Sequence, residues 1–202
     1  MSTDVLLHPG GLGDALTRIF QAAGGSEEEA RIIAVNLVEA NLAGHDSHGV
    51  VRTQRYCQWS ADGKVRFGQQ MTTVIDSDAF VLLDGNMGFG QSIGIQAVKL
   101  GIEKAGKAGV ALVGLRKVGH LGRIGEWAET ACAAGLVSIH FVNAYHSMLV
   151  APFGGADRRM STNPVCIGVP SGGGDFLLDF ATATVAEGKV LVAKRGGKPV
   201  PM

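Results

Sequence analysis

The densest group of chemically capable residues is His45-Asp46-Ser47-His48, followed by Arg52. On a helix, a spacing of four puts His48 and Arg52 on one side. A guanidinium grips a carboxylate through two parallel hydrogen bonds, and an imidazole on the same face can bond an adjacent carbonyl or hydroxyl. That pair suits a 2-oxo acid. The same residues also read as a helix cap by Asp46 or Ser47 with an exposed His and Arg. His45 and His48 have the His-x-x-His form of a metal pair. No Cys, Asp or Glu cluster elsewhere has the ligand spacing to complete a shell, so no metal ligand is assigned.

Gly119-His120-Leu121-Gly122-Arg123-Ile124-Gly125 follows an expected strand and opens an expected helix. Unpaired amides at a helix start bind phosphate, small residues let a pyrophosphate come close, and Arg123 adds positive charge. His120, at the lip of the loop, would reach the reacting end of the same ligand. An ordinary glycine-rich turn is the plainer account. Gly88-Phe89-Gly90-Gln91-Ser92-Ile93-Gly94 has the look of a dinucleotide fingerprint, but the next strand ends in Arg116-Lys117 where a ribose-binding acid belongs. Tight packing of a helix on a sheet, with Gly94 and Gly101 at the contact, explains these glycines better. Asp179 ends an apolar strand, Phe176 to Phe180, where it either meets a ligand or caps a following helix. His8, His140 and His146 have no comparable setting and read as surface or core residues.

The elements that must position these groups begin with helices near 11–22 and from Ser26, where Ser26-Glu27-Glu28-Glu29 has the form of a capping box. The second helix carries Ile33, Leu37, Ala40 and Ala43 on one face and stops at Gly44. A third runs from about Ser47 to Ala61, which places His48 in its first turn. After Gly63, strands near 72–76, 79–83, 109–115 and 136–142 alternate with helices near 90–107 and 121–134. Strands near 165–169 and 176–180 and a helix from about 184 to 194 follow. The reading is α/β: a helical segment, 1–70, then a mixed-sheet domain, 71–202. The final stretch, Arg195 to Met202, reads as a connection rather than an ending, so the sequence looks cut.

The 202 residues carry 18 Lys plus Arg and 18 Asp plus Glu. Without a basic stripe, nucleic acid is an unexpected partner. No apolar run reaches the roughly 18 residues of a membrane helix, and no signal peptide is legible, which points to the cytoplasm. Cys57, Cys132 and Cys166 are too far apart for a CxxC pair and fit packing. Glycine, at 30 residues, is about twice its usual share of roughly 7% and weakens any glycine motif taken alone.

Asp46-Ser47-His48-Gly49 with Arg52, Gly119-His120 through Gly125, Ala151-Pro152-Phe153-Gly154-Gly155, Thr162-Asn163-Pro164 and Leu178-Asp179-Phe180-Ala181-Thr182 together resemble the type 2 malate/L-lactate dehydrogenase family. The family includes ureidoglycolate dehydrogenases, diketogulonate reductases and cyclic-imine reductases. The resemblance implies a non-Rossmann nicotinamide-binding fold, a homodimer, NAD or NADP as cofactor, and hydride exchange with a small 2-hydroxy or 2-oxo acid. It implies that His120 transfers the proton, that Ser47, His48 and Arg52 face the substrate, and that Thr162 and Asn163 bind it. His120, Gly122, Arg123, Ile124, Ala144, Leu178, Asp179 and Phe180 are implied to line the cofactor. Lys189 stands where the imine-reducing branch has an acid, which ranks imine reduction below oxo-acid reduction. Two other readings stay open: a piece that keeps core and dimerising surfaces without activity, and a metal-dependent hydrolase using His45 and His48.

Overall fold

A computed structural model describes residues 6–144, 148–185, 189, 190 and 193. The chain divides into two compact units, Met1–Gly122 and Arg123–Met202. The change from helices to strands near residue 70 falls inside the first of them.

The first unit opens with α1 (Pro9–Ala22) and α2 (Glu27–Leu42), packed on each other. Pro9 suits the first position of α1, where its missing N–H leaves no bond unmade. Leu16 and Phe20 of α1 meet Ala30, Ile33, Ala34, Leu37 and Val38 of α2 in a core that also takes Tyr56, Val65 and Phe89. Burial of each large apolar side chain is worth roughly 1.5–3 kcal/mol, enough in sum to draw one carboxylate into the same region. That carboxylate is Glu29. Ser26 accepts a hydrogen bond from the Glu29 amide at 3.2 Å, as a cap should. The Glu29 side chain, however, does not return to Ser26. Its oxygens accept from the Gly68 amide at 2.7 Å and the Ser92 hydroxyl at 2.9 Å. The expected capping box is therefore half formed, because Glu29 ties α2 to a loop and to a later helix instead.

α2 ends at Leu42, with Ala43 as its C-cap and Gly44 at φ +76° as its left-handed stop. Two short 3₁₀ turns, Asp46–His48 and Val50–Arg52, precede α3 (Thr53–Ala61). The expected single helix from Ser47 is thus corrected: Gly49 is extended and separates the turns. β1 (Thr72–Asp76), β2 (Phe80–Asp84) and β3 (Leu112–Arg116) form a mixed sheet in that order, β1 antiparallel and β3 parallel to β2. α4 (Gly90–Ala108) makes the crossover between the parallel strands, and Ala97 joins buried Val81 and Leu83. A Cβ on Gly101 would come within 3.0 Å of Val113 on β3, so close helix-sheet packing does account for that glycine.

In the second unit, α5 (Gly125–Ala133) lies on an antiparallel sheet of β4 (Ser138–Phe141), β5 (Val165–Val169) and β6 (Phe176–Phe180). Gly168 makes that contact possible, since a Cβ there would meet Cys132 Sγ at 2.9 Å and Ala128 Cβ at 3.0 Å. Cys132 and Cys166 are buried with Trp127, Ala128 and Ala131. Burial, with help from Asp179, pushes the Cys166 thiol up to about 12, so it packs as an inert thiol. The expected strands at 109–115 and 136–142 and helix at 121–134 begin later than the sequence suggests, at Leu112, Ser138 and Gly125. Residues 184 and 185 are bends, while Lys189, Val190 and Ala193 are helical; the rest of the expected helix at 184–194, like His146, lies outside the described residues.

Candidate active site

Asn41, near the end of α2, organises the segment that carries the first candidates. Its Oδ1 accepts from the Val50 amide at 2.8 Å, and its Nδ2 donates to Asp46 Oδ1 at 2.6 Å. Asp46 is thereby engaged by Asn41, and neither 3₁₀ turn has a side-chain cap. The turns set Ser47 Oγ 2.9 Å from His48 Nδ1 and let Arg52 Nε donate to the Ser47 carbonyl at 2.6 Å. Arg52 is buried, with 8% of its surface exposed. Arg52 and His48 are thus brought together through Ser47, by turn geometry rather than by one helical face.

His120 arrives from the loop after β3. Its ring stacks on His48, centroids 5.3 Å apart and planes 24° from parallel. The approach depends on glycines at 88–90, the motif set aside as a fingerprint. A Cβ on Gly90 would lie 2.2 Å from the His120 carbonyl oxygen, and the Gly119 amide donates to Gly88 O at 2.8 Å. Those glycines serve the site by letting α4 pass against the His120 loop.

Two residues that sequence reasoning missed complete this group. Tyr56 on α3 lies 2.7 Å from His120 Nδ1 through its hydroxyl, and Gln91 Nε2 on α4 donates to that hydroxyl at 2.9 Å. The Gly122 amide also donates to His120 Nδ1, at 3.2 Å. An amide N–H only donates, so Nδ1 accepts and the neutral ring carries its proton on Nε2. A usable signal existed, because Tyr56 follows Arg52 by four residues on a helical spacing.

Burial first, then Arg52 and His45, lowers the His48 pKa to about 4. Burial first, then His48, Arg52 and Arg55, holds His120 well below the usual imidazole range. Burial pushes Tyr56 up to about 12, partly opposed by its bond with Gln91 and by Arg52. Near neutral pH the ligand-free group is two neutral imidazoles, one tyrosine hydroxyl and one guanidinium. Burial, with His48 and Arg52 beside it, thus moves His120 away from the near-neutral titration usual for a histidine.

The second unit carries the other candidates. The amides opening α5 are not unpaired, as the phosphate reading of this loop requires: Gly125 donates to Asp179 Oδ2 at 2.8 Å, Glu126 to Arg123 O at 3.3 Å and Trp127 to Ile124 O at 3.0 Å. Arg123 is buried and pairs with Glu129 through two bonds, 2.9 and 2.5 Å. Asp179 therefore caps α5, and Ile124, which precedes Gly125, is buried. Leu178 and Phe180 are exposed on β6. The Ala144 amide donates to Asn163 Oδ1 at 3.1 Å, with Asn163 held at φ +34°, and Thr162 O accepts from Thr182. Asn143, Ala144, Met148, Arg159, Ser161 and Asn163 line a cavity of about 620 Å³, a size usual for small-ligand pockets. Among the described residues, no three His, Cys, Asp or Glu side chains gather as a metal site requires, and no helix is long and apolar enough to cross a membrane.

A family profile described as malate/L-lactate dehydrogenase matches residues 8–202. Hydroxycarboxylate dehydrogenase B of Escherichia coli K12 is 45% identical over 184 residues, covering 91% of this chain and 51% of its own length. The solved malate dehydrogenase of Pyrococcus horikoshii OT3 superposes with a TM-score of 0.88 at 35% identity, over 92% of this chain and 53% of that one. The delta1-piperideine-2-carboxylate reductase of Pseudomonas syringae pvar. tomato gives 0.88 at 33% identity, over 98% and 59%. The chain spans about half the length of the curated relatives it matches.

Proposed function

Because the chain belongs to the malate/L-lactate dehydrogenase family, we propose that the protein exchanges a hydride between a nicotinamide cofactor, NAD or NADP, and a small 2-hydroxy or 2-oxo acid. The observation that carries this reading is the stacked pair of neutral imidazoles, His48 and His120, beside buried Arg52. One positive charge for a carboxylate and two uncharged proton-handling rings match the parts of such a substrate.

Arg52 holds the carboxylate with charge-assisted hydrogen bonds. His120 Nε2, the nitrogen turned away from Tyr56 and Gly122, moves the proton at the C2 oxygen. His48, oriented by Ser47, polarises the same oxygen. When bound, the nicotinamide supplies or takes up the hydride at its C4. The cavity lined by Ala144, Arg159 and Asn163 has the size and polarity to hold part of that cofactor, and Thr162 and Asn163 are assigned to the substrate. Leu178 and Phe180 offer it apolar surface, while Asp179 accepts from the Gly125 amide and Arg123 pairs with Glu129, beside Gly122 and Ile124 in the same loop. The reading includes a cytoplasmic homodimer, and exposed Ile139, Phe141 and Phe176 supply apolar area for a partner copy.

The relatives named for malate, hydroxycarboxylate and an imine carboxylate share a carboxylate next to the reacting carbon, so the assay is a panel. NADH and NADPH oxidation are followed with pyruvate, oxaloacetate and a cyclic imine carboxylate, using the intact protein. Turnover of an oxo acid is expected, with His120→Asn lowering kcat by roughly 10² to 10⁴ while cofactor affinity stays within about twofold. The assignment fails if no 2-oxo acid is turned over with either cofactor. If His48→Asn costs more than His120→Asn, the two roles are exchanged.

A further inference from the structure

The hydrogen bonds behind His120 end in an unsatisfied atom. Gln91 is 1% exposed, its Nε2 donates to Tyr56, and its Oε1 has no hydrogen-bond partner among the described residues. Turning the amide by 180° places Oε1 on the Tyr56 hydroxyl and Nε2 in the position of the unsatisfied oxygen. Either orientation leaves one amide atom without a partner, so the surroundings of Gln91 do not fix the choice.

The orientations differ in what they ask of His120. With Nε2 toward Tyr56, the tyrosine spends its own proton on His120 Nδ1, and the ring is protonated at Nε2. With Oε1 toward Tyr56, the tyrosine donates to Gln91 and accepts from His120, so the ring is protonated at Nδ1 and Nε2 is bare. The first form presents a donor to a substrate carbonyl. The second presents a base to a substrate hydroxyl, whose proton then goes to Nε2 as the hydride leaves C2 for the nicotinamide.

We infer that Gln91 is a positioning residue: acting through Tyr56, the orientation of its amide sets which nitrogen of His120 carries the proton. The inference rests on His120 as the proton-transferring group. The Gly122 amide, which faces Nδ1, biases the ligand-free protein toward the Nε2–H form, and Gln91 is the element able to oppose that bias. The charged or titratable groups acting on the ring are His48 and Arg52 on the segment after α2 and Arg55 and Tyr56 on α3; α4 contributes the neutral Gln91.

Two-bond 1H–15N spectra of the intact protein labelled in histidine imidazole report the protonated nitrogen directly and need no activity. The parent should show Nδ1 bare and Nε2 protonated. Gln91→Glu, whose carboxylate accepts but does not donate, should move the proton to Nδ1 and shift the acid limb of the kcat profile upward. Its KM for the acid substrate should change by less than about threefold, because Arg52 is untouched. Gln91→Met and Tyr56→Phe, which remove the amide and the relay, should each leave the proton on Nε2, where the Gly122 amide alone places it. Each should lower kcat by on the order of tenfold, a fraction of the roughly 10² to 10⁴ of a positioned acid-base group. An unchanged His120 tautomer in folded Gln91→Glu, or a proton that stays on Nδ1 when Tyr56→Phe is added to Gln91→Glu, overturns the inference. Failure of the dehydrogenase reading registers separately, as no turnover of any 2-oxo acid by the parent with either cofactor, and failure of the His120 role as undiminished kcat in His120→Asn.

Discussion

Adding one methyl group at Gly49 should loosen the segment that carries His48 and Arg52. A Cβ there would lie 2.0 Å from Asn41 Oδ1, 2.4 Å from its Cγ and 2.9 Å from its Nδ2. The backbone of Gly49, at φ −86° and ψ −151°, is extended and open to any residue. The cost of Gly49→Ala therefore comes from displacing Asn41, not from strain. Displacement takes the acceptor from the half-buried Val50 amide and the donor from Asp46. Leaving the amide unsatisfied costs about 1–3 kcal/mol, and the exposed bond to Asp46 adds roughly 0.5–1.5, for a total of about 1.5–4.5 kcal/mol. Urea unfolding of the intact protein reads this directly, and the KM for the acid substrate should rise as Ser47, His48 and Arg52 lose their anchor. Asn41→Ala removes the same two bonds without a clash, so it should cost a similar amount. All three atoms that the new methyl would strike belong to Asn41, so the double variant should match Asn41→Ala within about 0.5 kcal/mol. If Gly49→Ala is just as costly in the Asn41→Ala background, Asn41 is not the latch.

Arg52→Lys should raise KM for the acid substrate on the order of 10- to 100-fold, the loss of a bidentate charged contact, while cofactor affinity moves little; steady-state kinetics showing equal losses for both would count against the carboxylate assignment. His48 should also make stability depend on pH. Its folded pKa of about 4 lies below the unfolded value near 6.5, so between these the unfolded chain binds more protons. The contribution is complete above the unfolded value and is lost as pH falls toward 4, by up to about 3 kcal/mol. Thermal melts at pH 7 and pH 4.5 should show His48→Asn losing less on acidification than the parent, and equal losses would refute the depressed pKa. His120 acts with the same sign.

The helices were legible because their signals are local. Ser26, Gly44 and the spacing of Ile33 and Leu37 each act within one or two turns of α2. His120, His48, Ser47 and Arg52 were legible as separate motifs, and the structure brings those four together. What stayed hidden is decided by contacts distant in sequence. Asn41 breaks the third helix into 3₁₀ turns from nine residues away, and Asp179 claims the Gly125 amide from 54 residues away. Neither leaves a periodic trace. Gln91 was passed over inside a motif set aside because Arg116-Lys117 stands where a ribose-binding acid belongs; its Gly88 and Gly90 admit the His120 loop, and the residue after Gly90 reaches the tyrosine behind it.

Arg52 has two effects that belong together. Its charge is a cause, after burial, of the depressed pKa values of both histidines. It is also the group assigned to the substrate carboxylate. Without a carboxylate, burial and then its field hold both imidazoles neutral, and the stacked rings avoid facing each other as two cations 5.3 Å apart. A bound carboxylate offsets that field at the moment one ring must take up a proton from the C2 hydroxyl. The same opposite charge favours the protonated imidazole. The ring nearest the reacting oxygen thus becomes a better base only when an acid substrate is present, and a neutral substrate of the same shape would leave it as weak as in the free protein. On the proposed assignment, selectivity for 2-hydroxy acids would then follow from how Arg52 and the two rings share one charge, in addition to how tightly the carboxylate is held.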